Sequence, residues 1–131
     1  MIRVPSPLDE QTEIYVKETM DCGYAIHKAL GPGFLERAYT NAFCIELLAQ
    51  GIPFESEKSV TLFYRSRPVA VHRLDLVVHG CILVELKAVK ILKRVHEAQV
   101  LAYLKASKLP VGLLMNFGGA TLKEGFRRII L

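Results

Sequence analysis

A turn signal at His79-Gly80, between two short apolar runs, constrains this chain more than any other feature. The stretch LVVHGCILVELK (residues 76–87) is typical of two strands joined by a tight turn, a β-hairpin. A hairpin makes its strands antiparallel neighbours and pairs residues at equal distances from the turn. Asp75, five residues before Gly80, is therefore predicted to lie almost opposite Glu85, five residues after it.

Glu85 and Lys87 put two opposite charges at the end of an otherwise apolar strand. Side chains alternate between the faces of a strand, so these two point to the same side. With Asp75 they form a predicted patch of two carboxylates and one ammonium. Neighbouring carboxylates repel each other, and a divalent cation removes that repulsion. Mg²⁺ prefers oxygen ligands, often together with substrate phosphates, so the patch suits phosphodiester chemistry.

The same three residues also allow a purely structural interpretation. Glu85 and Lys87 can form an exposed ion pair at a strand end, and such a pair contributes roughly 0–1 kcal/mol. Asp75 can be a turn or edge residue. Taken alone, the three residues favour this second interpretation, so the rest of the chain has to decide between them.

The periodicity of apolar residues along the chain defines the order of its elements. The predicted elements are helices over 10–30 and about 35–50, strands over 60–64, 69–78 and 81–87, a helix over 95–107, and strands over 111–117 and 126–131. This order, ααβββαββ, predicts an α/β (or α+β) fold with a mixed sheet, because the strand–helix–strand step near the end requires a parallel crossover. The length of 131 residues predicts a single domain over 1–131.

Composition places the chain among globular proteins, because 51% of its residues are hydrophobic and 23% are charged. A net charge of +4 permits a polyanionic partner without requiring one. Cys22, Cys44 and Cys81 are widely spaced and odd in number, which predicts reduced thiols in a cytoplasmic protein. We expect no association with a membrane, because no apolar stretch is long enough to cross one.

Several further motifs share a family pattern. Gly33, Glu36 and Tyr39 have the spacing G-x-x-E-x-x-Y, and Gln99 and Tyr103 lie four residues apart on one helix face. With the stretches GPGFLERAY, LDLVV, VELKAV, HEAQVLAYLKAS and GLLMNFG, the chain from about residue 12 to its end resembles the GxxExxY proteins. These are placed in the PD-(D/E)XK nuclease superfamily, close to RecB-like nucleases.

The resemblance implies a restriction-endonuclease-like fold, in which helices flank a mixed β-sheet. It also implies a Mg²⁺- or Mn²⁺-dependent nuclease, a hydrolase that cleaves phosphodiester bonds in DNA (or RNA) with a metal-activated water. By the same resemblance, Asp75 matches the acidic residue of the first core strand motif, and Glu85 and Lys87 match the (D/E)-x-K pair. Gln99 and Tyr103 match a Q-x-x-x-Y helix motif that lines the same catalytic site.

The resemblance assigns roles to two residues of the first helices. Glu36 matches a first-helix glutamate that can be an additional metal ligand beside Asp75 and Glu85. His27 matches a histidine that can lie near the metal or the substrate, and the alternative is a core histidine bonded to a carbonyl group. The chain departs from the pattern at His72, where RecB-like nucleases often have glycine, and this predicts crowding near the site.

Basic residues follow the predicted site. Lys90, Lys93 and Arg94 suit the phosphate backbone of a nucleic acid, with DNA favoured over RNA, although a solvated basic face is the alternative. The sequence has no run of repeated aromatic residues, so it predicts no stacking platform for single strands. The short chain predicts either a homodimer, which two cuts in a duplex would need, or a protein partner. The alternative function is a catalytically silent nucleic-acid-binding or protein-assembly module of the same fold.

Overall fold

The computed structural model describes residues 6–131, and this part of the chain contains three helices and five strands. The elements are α1 (Glu10–Leu30), α2 (Glu36–Ala49), β1 (Phe54–Tyr64), β2 (Arg67–Val78), β3 (Ile82–Lys87), α3 (Arg94–Ser107), β4 (Val111–Asn116) and β5 (Phe126–Ile129). The predicted order ααβββαββ is confirmed, and most predicted boundaries lie within two residues of the observed ones.

The five strands form one mixed sheet in the order β1-β2-β3-β4-β5. β3 and β4 are parallel and are joined through α3, whereas the other neighbours are antiparallel. The hairpin between β2 and β3 turns at His79 and Gly80, which have φ angles of 54° and 68°. Residues 79–81 form the loop between Val78 and its partner Ile82, so the hairpin is centred on Gly80. The N–H of Cys81 closes this turn by donating to the carbonyl of Val78.

The core lies on both faces of β3 and β4, and every residue of β4 is buried. On one face, Val84 and Leu113 pack in a cluster with Ile26 of α1 and Phe43 of α2. The opposite face forms a second cluster, with Leu83, Leu114, Val100 and Leu104 as its main members. Strands covered on both faces have near-continuous apolar sequences, which is why VGLLM could be recognised as a buried strand.

Tyr39 holds the loop between α1 and α2 in place. Its buried hydroxyl donates to the carbonyl of Gly31 (2.6 Å) and accepts from the N–H of Phe34 (3.2 Å). The ring stacks on Phe117, with 4.6 Å between the ring centres. The N–H of Phe117 in turn donates to the carbonyl of Lys87. The first residue of α2, Glu36, is thereby positioned near the end of β3.

One region differs clearly from the sequence-based expectations. β1 begins at Phe54, six residues earlier than predicted, because ESEKS is polar and mostly exposed and so shows no apolar alternation. The three cysteines are free, as predicted. Within residues 6–131, no helix combines the length and apolar character needed to cross a membrane.

Candidate active site

Asp75 and Glu85 meet where β2 and β3 separate. The pairing of the two strands runs from Val78 opposite Ile82 to Leu76 opposite Val84, and it stops there. Beyond that point, a carboxylate oxygen of Asp75 accepts the N–H of Leu86 (2.9 Å), and one of Glu85 accepts the N–H of Asp75 (3.2 Å). Each carboxylate therefore bonds to the backbone of the facing strand, which holds both groups in position. The predicted juxtaposition of Asp75 and Glu85 is confirmed.

Ionisation of both carboxyl groups of this pair is unfavourable without an additional positive ion. Glu85 is only 4% exposed, and burial raises its pKa to about 8, with the charge of Asp75 adding to the effect. Burial also raises the pKa of Asp75. The Lys87 ammonium opposes both shifts but does not cancel them. A positive ion at this position would favour the charged form of both groups.

Lys87 is oriented by helix α3. Its Nζ donates to Oε1 of Gln99 at 2.8 Å, which connects the end of β3 to the second turn of the helix. Tyr103 lies one turn further along the same helix face. Burial and the charge of Glu85 raise the pKa of Tyr103, whereas the side chain of Gln99 lowers it. The structure thus brings together Asp75, Glu85, Lys87, Gln99 and Tyr103, as the sequence predicted.

Glu36 lies at the rim of this site. It lines a cleft of about 290 Å³ whose wall also includes Asp75. Partial burial of its carboxyl group and the charge of Asp75 raise its pKa, and Lys87 lowers it. Over residues 6–131, however, no three His, Cys, Asp or Glu side chains are grouped so that they could hold a metal ion. Glu36 therefore does not complete a three-carboxylate set with Asp75 and Glu85.

His27 has a partner of its own. Its Nε2 lies 3.0 Å from the carbonyl oxygen of Gly119, and its ring lies beside Phe117. This is the contact of the core-histidine alternative, because the loop after β4 covers the end of α1 and supplies the carbonyl group. His72, where the chain departs from the family pattern, packs its ring against Tyr103, with 5.0 Å between the ring centres. The contact that His72 makes near the site is therefore with the ring of Tyr103.

The predicted phosphate contacts lie on the surface that follows β3. Lys90 lies in the loop between β3 and α3, Lys93 precedes the helix, and Arg94 is its first residue. All three are exposed. None of them forms an ion pair with another residue in the described part of the chain. Their charges are therefore available to a polyanion beside the site.

Sequence reasoning missed the far wall of the cleft. Glu57 lies between two guanidinium groups, at 3.8 Å from Arg37 and 4.0 Å from Arg73. The register of β1 and β2, with Ser56 opposite Leu76 and Lys58 opposite Leu74, puts Glu57 opposite Asp75. No pattern in the sequence indicated this contact, because it depends on the register of β1 and β2, which became visible once β1 was known to begin at Phe54.

The fold and the site together define a class of protein. A five-strand mixed sheet flanked by helices is the arrangement of a restriction-endonuclease-like fold, and Asp75, Glu85 and Lys87 lie where two of its strands separate. A comparison with protein families matches residues 13–129 to the PD-(D/E)XK nuclease superfamily, and the chain belongs to this superfamily. Searches of curated proteins and of solved structures returned no match.

Proposed function

We propose that the chain is a metal-dependent nuclease that hydrolyses phosphodiester bonds in DNA. One observation carries the proposal. Asp75 and Glu85 face each other where β2 and β3 separate, and the ammonium of Lys87 lies beside them. A structural ion pair would not need a second buried carboxylate. The superfamily match supports the same class of reaction.

The donor set fits a hard divalent cation such as Mg²⁺ or Mn²⁺. Mg²⁺ sites commonly use one or two carboxylates, with waters and substrate phosphates completing the shell, so the pair Asp75 and Glu85 is sufficient. Glu36 stays at the cleft rim beside Asp75 and is not required for this shell. When bound, such an ion supplies Lewis-acid activation of a water molecule and of the phosphoryl group.

The residues around the carboxylates would position the substrate and stabilise charge. Lys87 would place a positive charge beside the developing negative charge on the phosphate, and preorganised groups of this kind stabilise transition states strongly. Gln99 holds the Lys87 ammonium through its 2.8 Å hydrogen bond and so acts as a positioning residue. Tyr103, packed between His72 and the Gln99 turn of the helix, supports that arrangement.

The substrate would approach along the basic surface after β3. Lys90, Lys93 and Arg94 would neutralise phosphates near the scissile bond and fix the register of the strand. We propose DNA as the substrate, with RNA as the alternative that the cleavage assay distinguishes. A homodimer or a protein partner would supply the second cut of a duplex, and light scattering of the purified chain tests the dimer.

The first test is calorimetric titration of Mg²⁺ and Mn²⁺ into the wild type and into Asp75→Asn. We expect saturable binding that the substitution abolishes. Asp21→Asn is the matched control, because Asp21 is an exposed residue on α1 that pairs with Lys17. An oligonucleotide is added if the free protein shows no heat, because substrate phosphates can complete the metal shell. Absence of metal binding with the oligonucleotide present would refute a metal-dependent reaction.

The second test is cleavage of single- and double-stranded DNA and RNA with Mg²⁺ or Mn²⁺. We expect products from DNA that are lost with a chelator and in Asp75→Asn.

One observation favours a different function, a silent nucleic-acid-binding module, namely that no third carboxylate closes the metal site in residues 6–131. Salt-sensitive binding without cleavage, unchanged in Lys87→Ala, would support that module instead.

A further inference from the structure

The outer part of the β1–β2 hairpin projects beyond the sheet. We call residues 59–74 the arm. β3 pairs only with residues 76–78 of β2, and β1 is the edge strand, so the two strands of the arm pair only with each other. One face of the arm packs on α3, through Val60 in the second core cluster and through the ring contact between His72 and Tyr103. Its other face borders α2 only at Arg73, which lines the cleft together with Glu36 and Arg37. Beyond Arg73, no described element covers this face.

The uncovered face carries an apolar and a cationic group. The register pairs Thr61 with Val71 and Ser59 with Arg73, which places these residues opposite to the face that Val60 and His72 turn to α3. The register shifts between Leu62 and Phe63, but the extra residue, Val69, lies on β2. The alternation along β1 therefore continues and places Phe63 on the uncovered face. Phe63 is 59% exposed, Val71 is 68% exposed and the side chain of Arg73 is 68% exposed. Large exposed apolar side chains in one strip mark an interaction surface.

The positive charge of the arm indicates which kind of partner this face can bind. The arm contains three arginines, Arg65, Arg67 and Arg73, and no aspartate or glutamate. Arg73 contacts one carboxylate just outside the arm, that of Glu57 at 4.0 Å, whereas Arg65 and Arg67 have no such contact in the described residues. A surface with this balance repels basic partners and attracts polyanions. The combination of arginines with an exposed aromatic ring is the chemistry by which proteins hold single-stranded nucleic acids, because the ring stacks on a base while the cations contact phosphates.

The arm is continuous with the site. Arg73 precedes Asp75 by two residues on the same strand face, and both line the same cleft. Phe63 lies opposite Pro68, seven residues before Asp75, which is roughly 23 Å at the rise of a β-strand. That length corresponds to about seven stacked nucleotides at 3.4 Å per step. A strand held at Asp75 would therefore extend along Arg73 and reach Phe63.

We propose that this face of the arm binds single-stranded nucleic acid, with Arg73 on a phosphate and Phe63 stacked on a base. The inference rests on the proposed function only for the path of the nucleic-acid strand toward Asp75. Binding to the arm itself does not require cleavage. A duplex hides its base faces, so the stacking contact favours an unpaired segment over a blunt duplex.

Fluorescence anisotropy with a labelled oligothymidine of about 20 nucleotides, longer than a typical single-strand site, tests the proposal in the presence of EDTA. We expect Phe63→Ala to bind at least about fivefold more weakly than the wild type, and the loss to be smaller on a blunt duplex. Tyr64→Ala is the matched control, because Tyr64 is also exposed but alternates to the opposite face. It should bind within about twofold of the wild type, since it makes no stacking contact on this path.

A second measurement uses salt. Arg73→Gln should reduce the dependence of log affinity on log salt by about 0.7, the contribution of one phosphate contact on a single strand. Lys17→Gln removes the same charge from α1 and should leave the slope unchanged. Circular dichroism confirms the fold of each variant.

Several results would overturn the arm proposal. They are no oligothymidine binding by the wild type, unchanged binding by Phe63→Ala, and an equal loss in Tyr64→Ala. A wild-type dimer that Phe63→Ala dissociates would reassign the face to a second copy of the chain. The cleavage assay separates the two proposals. If binding depends on Phe63 but no cleavage occurs, the arm proposal stands and the nuclease proposal is refuted. If cleavage occurs but Phe63→Ala binds like the wild type, the nuclease proposal stands and the arm proposal is refuted.

Discussion

The two ends of strand β2 have similar sequences and opposite surroundings. Val71, in the outer end, is 68% exposed, whereas Val77, six residues later, is 1% exposed. The inner end pairs with β3, and core clusters pack on both of its faces. The outer end pairs only with β1, and its packed face lies against α3. Asp75 lies at the boundary between them. The comparison teaches that the site is formed where a strand leaves the core.

The strongest test of this comparison is the removal of the charge on Lys87. We expect Lys87→Met to lower the rate of DNA cleavage by about 10²–10³-fold, because it removes a preorganised charge beside the reacting phosphate. Lys105→Met, an exposed lysine in the last turn of α3, should cleave at the wild-type rate. A fully active Lys87→Met would mean that the lysine is a structural partner of Gln99 alone.

The second prediction concerns the pH dependence of stability without divalent ions. In the unfolded chain Glu85 ionises near its ordinary pKa of 4.5, and in the folded chain near 8. Between these values the unfolded state binds fewer protons, so the free energy of unfolding falls as pH rises, by on the order of a few kcal/mol. The fall should be complete above pH 8, once both states are ionised.

Glu85→Gln should reduce this fall, measured by urea unfolding at pH 5 and pH 8 in EDTA, because the amide stays neutral. Part of the fall should remain, since the pKa of Asp75 is raised as well. Glu124→Gln, at an exposed position, is the control. Equal pH dependence in the wild type and Glu85→Gln would contradict the view that burial penalises the Glu85 charge.

A matched pair of substitutions tests the comparison within β2 itself. Val77→Thr should lower the free energy of unfolding by about 1–3 kcal/mol, because it buries a hydroxyl in an apolar cluster. Val71→Thr, the same change in the arm, should alter it by less than about 0.5 kcal/mol. Urea unfolding measures both. Similar losses at the two positions would show that the outer end of the strand is as enclosed as the inner end.

The smallest effect is expected at Tyr39. Tyr39→Phe removes the hydroxyl bonded to Gly31 and Phe34, which should lower the free energy of unfolding by about 1–2 kcal/mol. Metal binding by Asp75 and Glu85 should remain, since the ring still stacks on Phe117. Tyr24→Phe, at an exposed position of α1, is the control for thermal unfolding and calorimetry. Loss of metal binding would show that the Tyr39 hydroxyl acts on the site itself.

Most of the fold and the centre of the site could be predicted from local patterns. The His79-Gly80 turn set the register that brings Asp75 and Glu85 together, because hairpin pairing depends only on distance from the turn. The parallel step through α3 followed from the buried run of β4. Gln99 could be placed on the Tyr103 face by helical periodicity alone.

Other features escaped the sequence because they depend on contacts between distant segments. His27 is bonded to Gly119, 92 residues away, and no local pattern predicts that partner. Glu36 has the spacing of a ligand but remains at the cleft rim, because the placement of α2 depends on how Tyr39 packs against Phe117. Phe63 is not part of an aromatic repeat, so its exposure on the same face of the arm as Arg73 became visible only with the register of β1 and β2.

The sequence by itself determined the order of the elements, the hairpin and the juxtaposition of the two carboxylates, since these follow from chain-local periodicity and turn geometry. The tertiary structure decided which charges are buried and which faces stay open. Burial depends on the layers above and below the sheet, and only the packed fold brings those layers together. Glu85 at 4% exposure and Phe63 at 59% are the two outcomes of that packing.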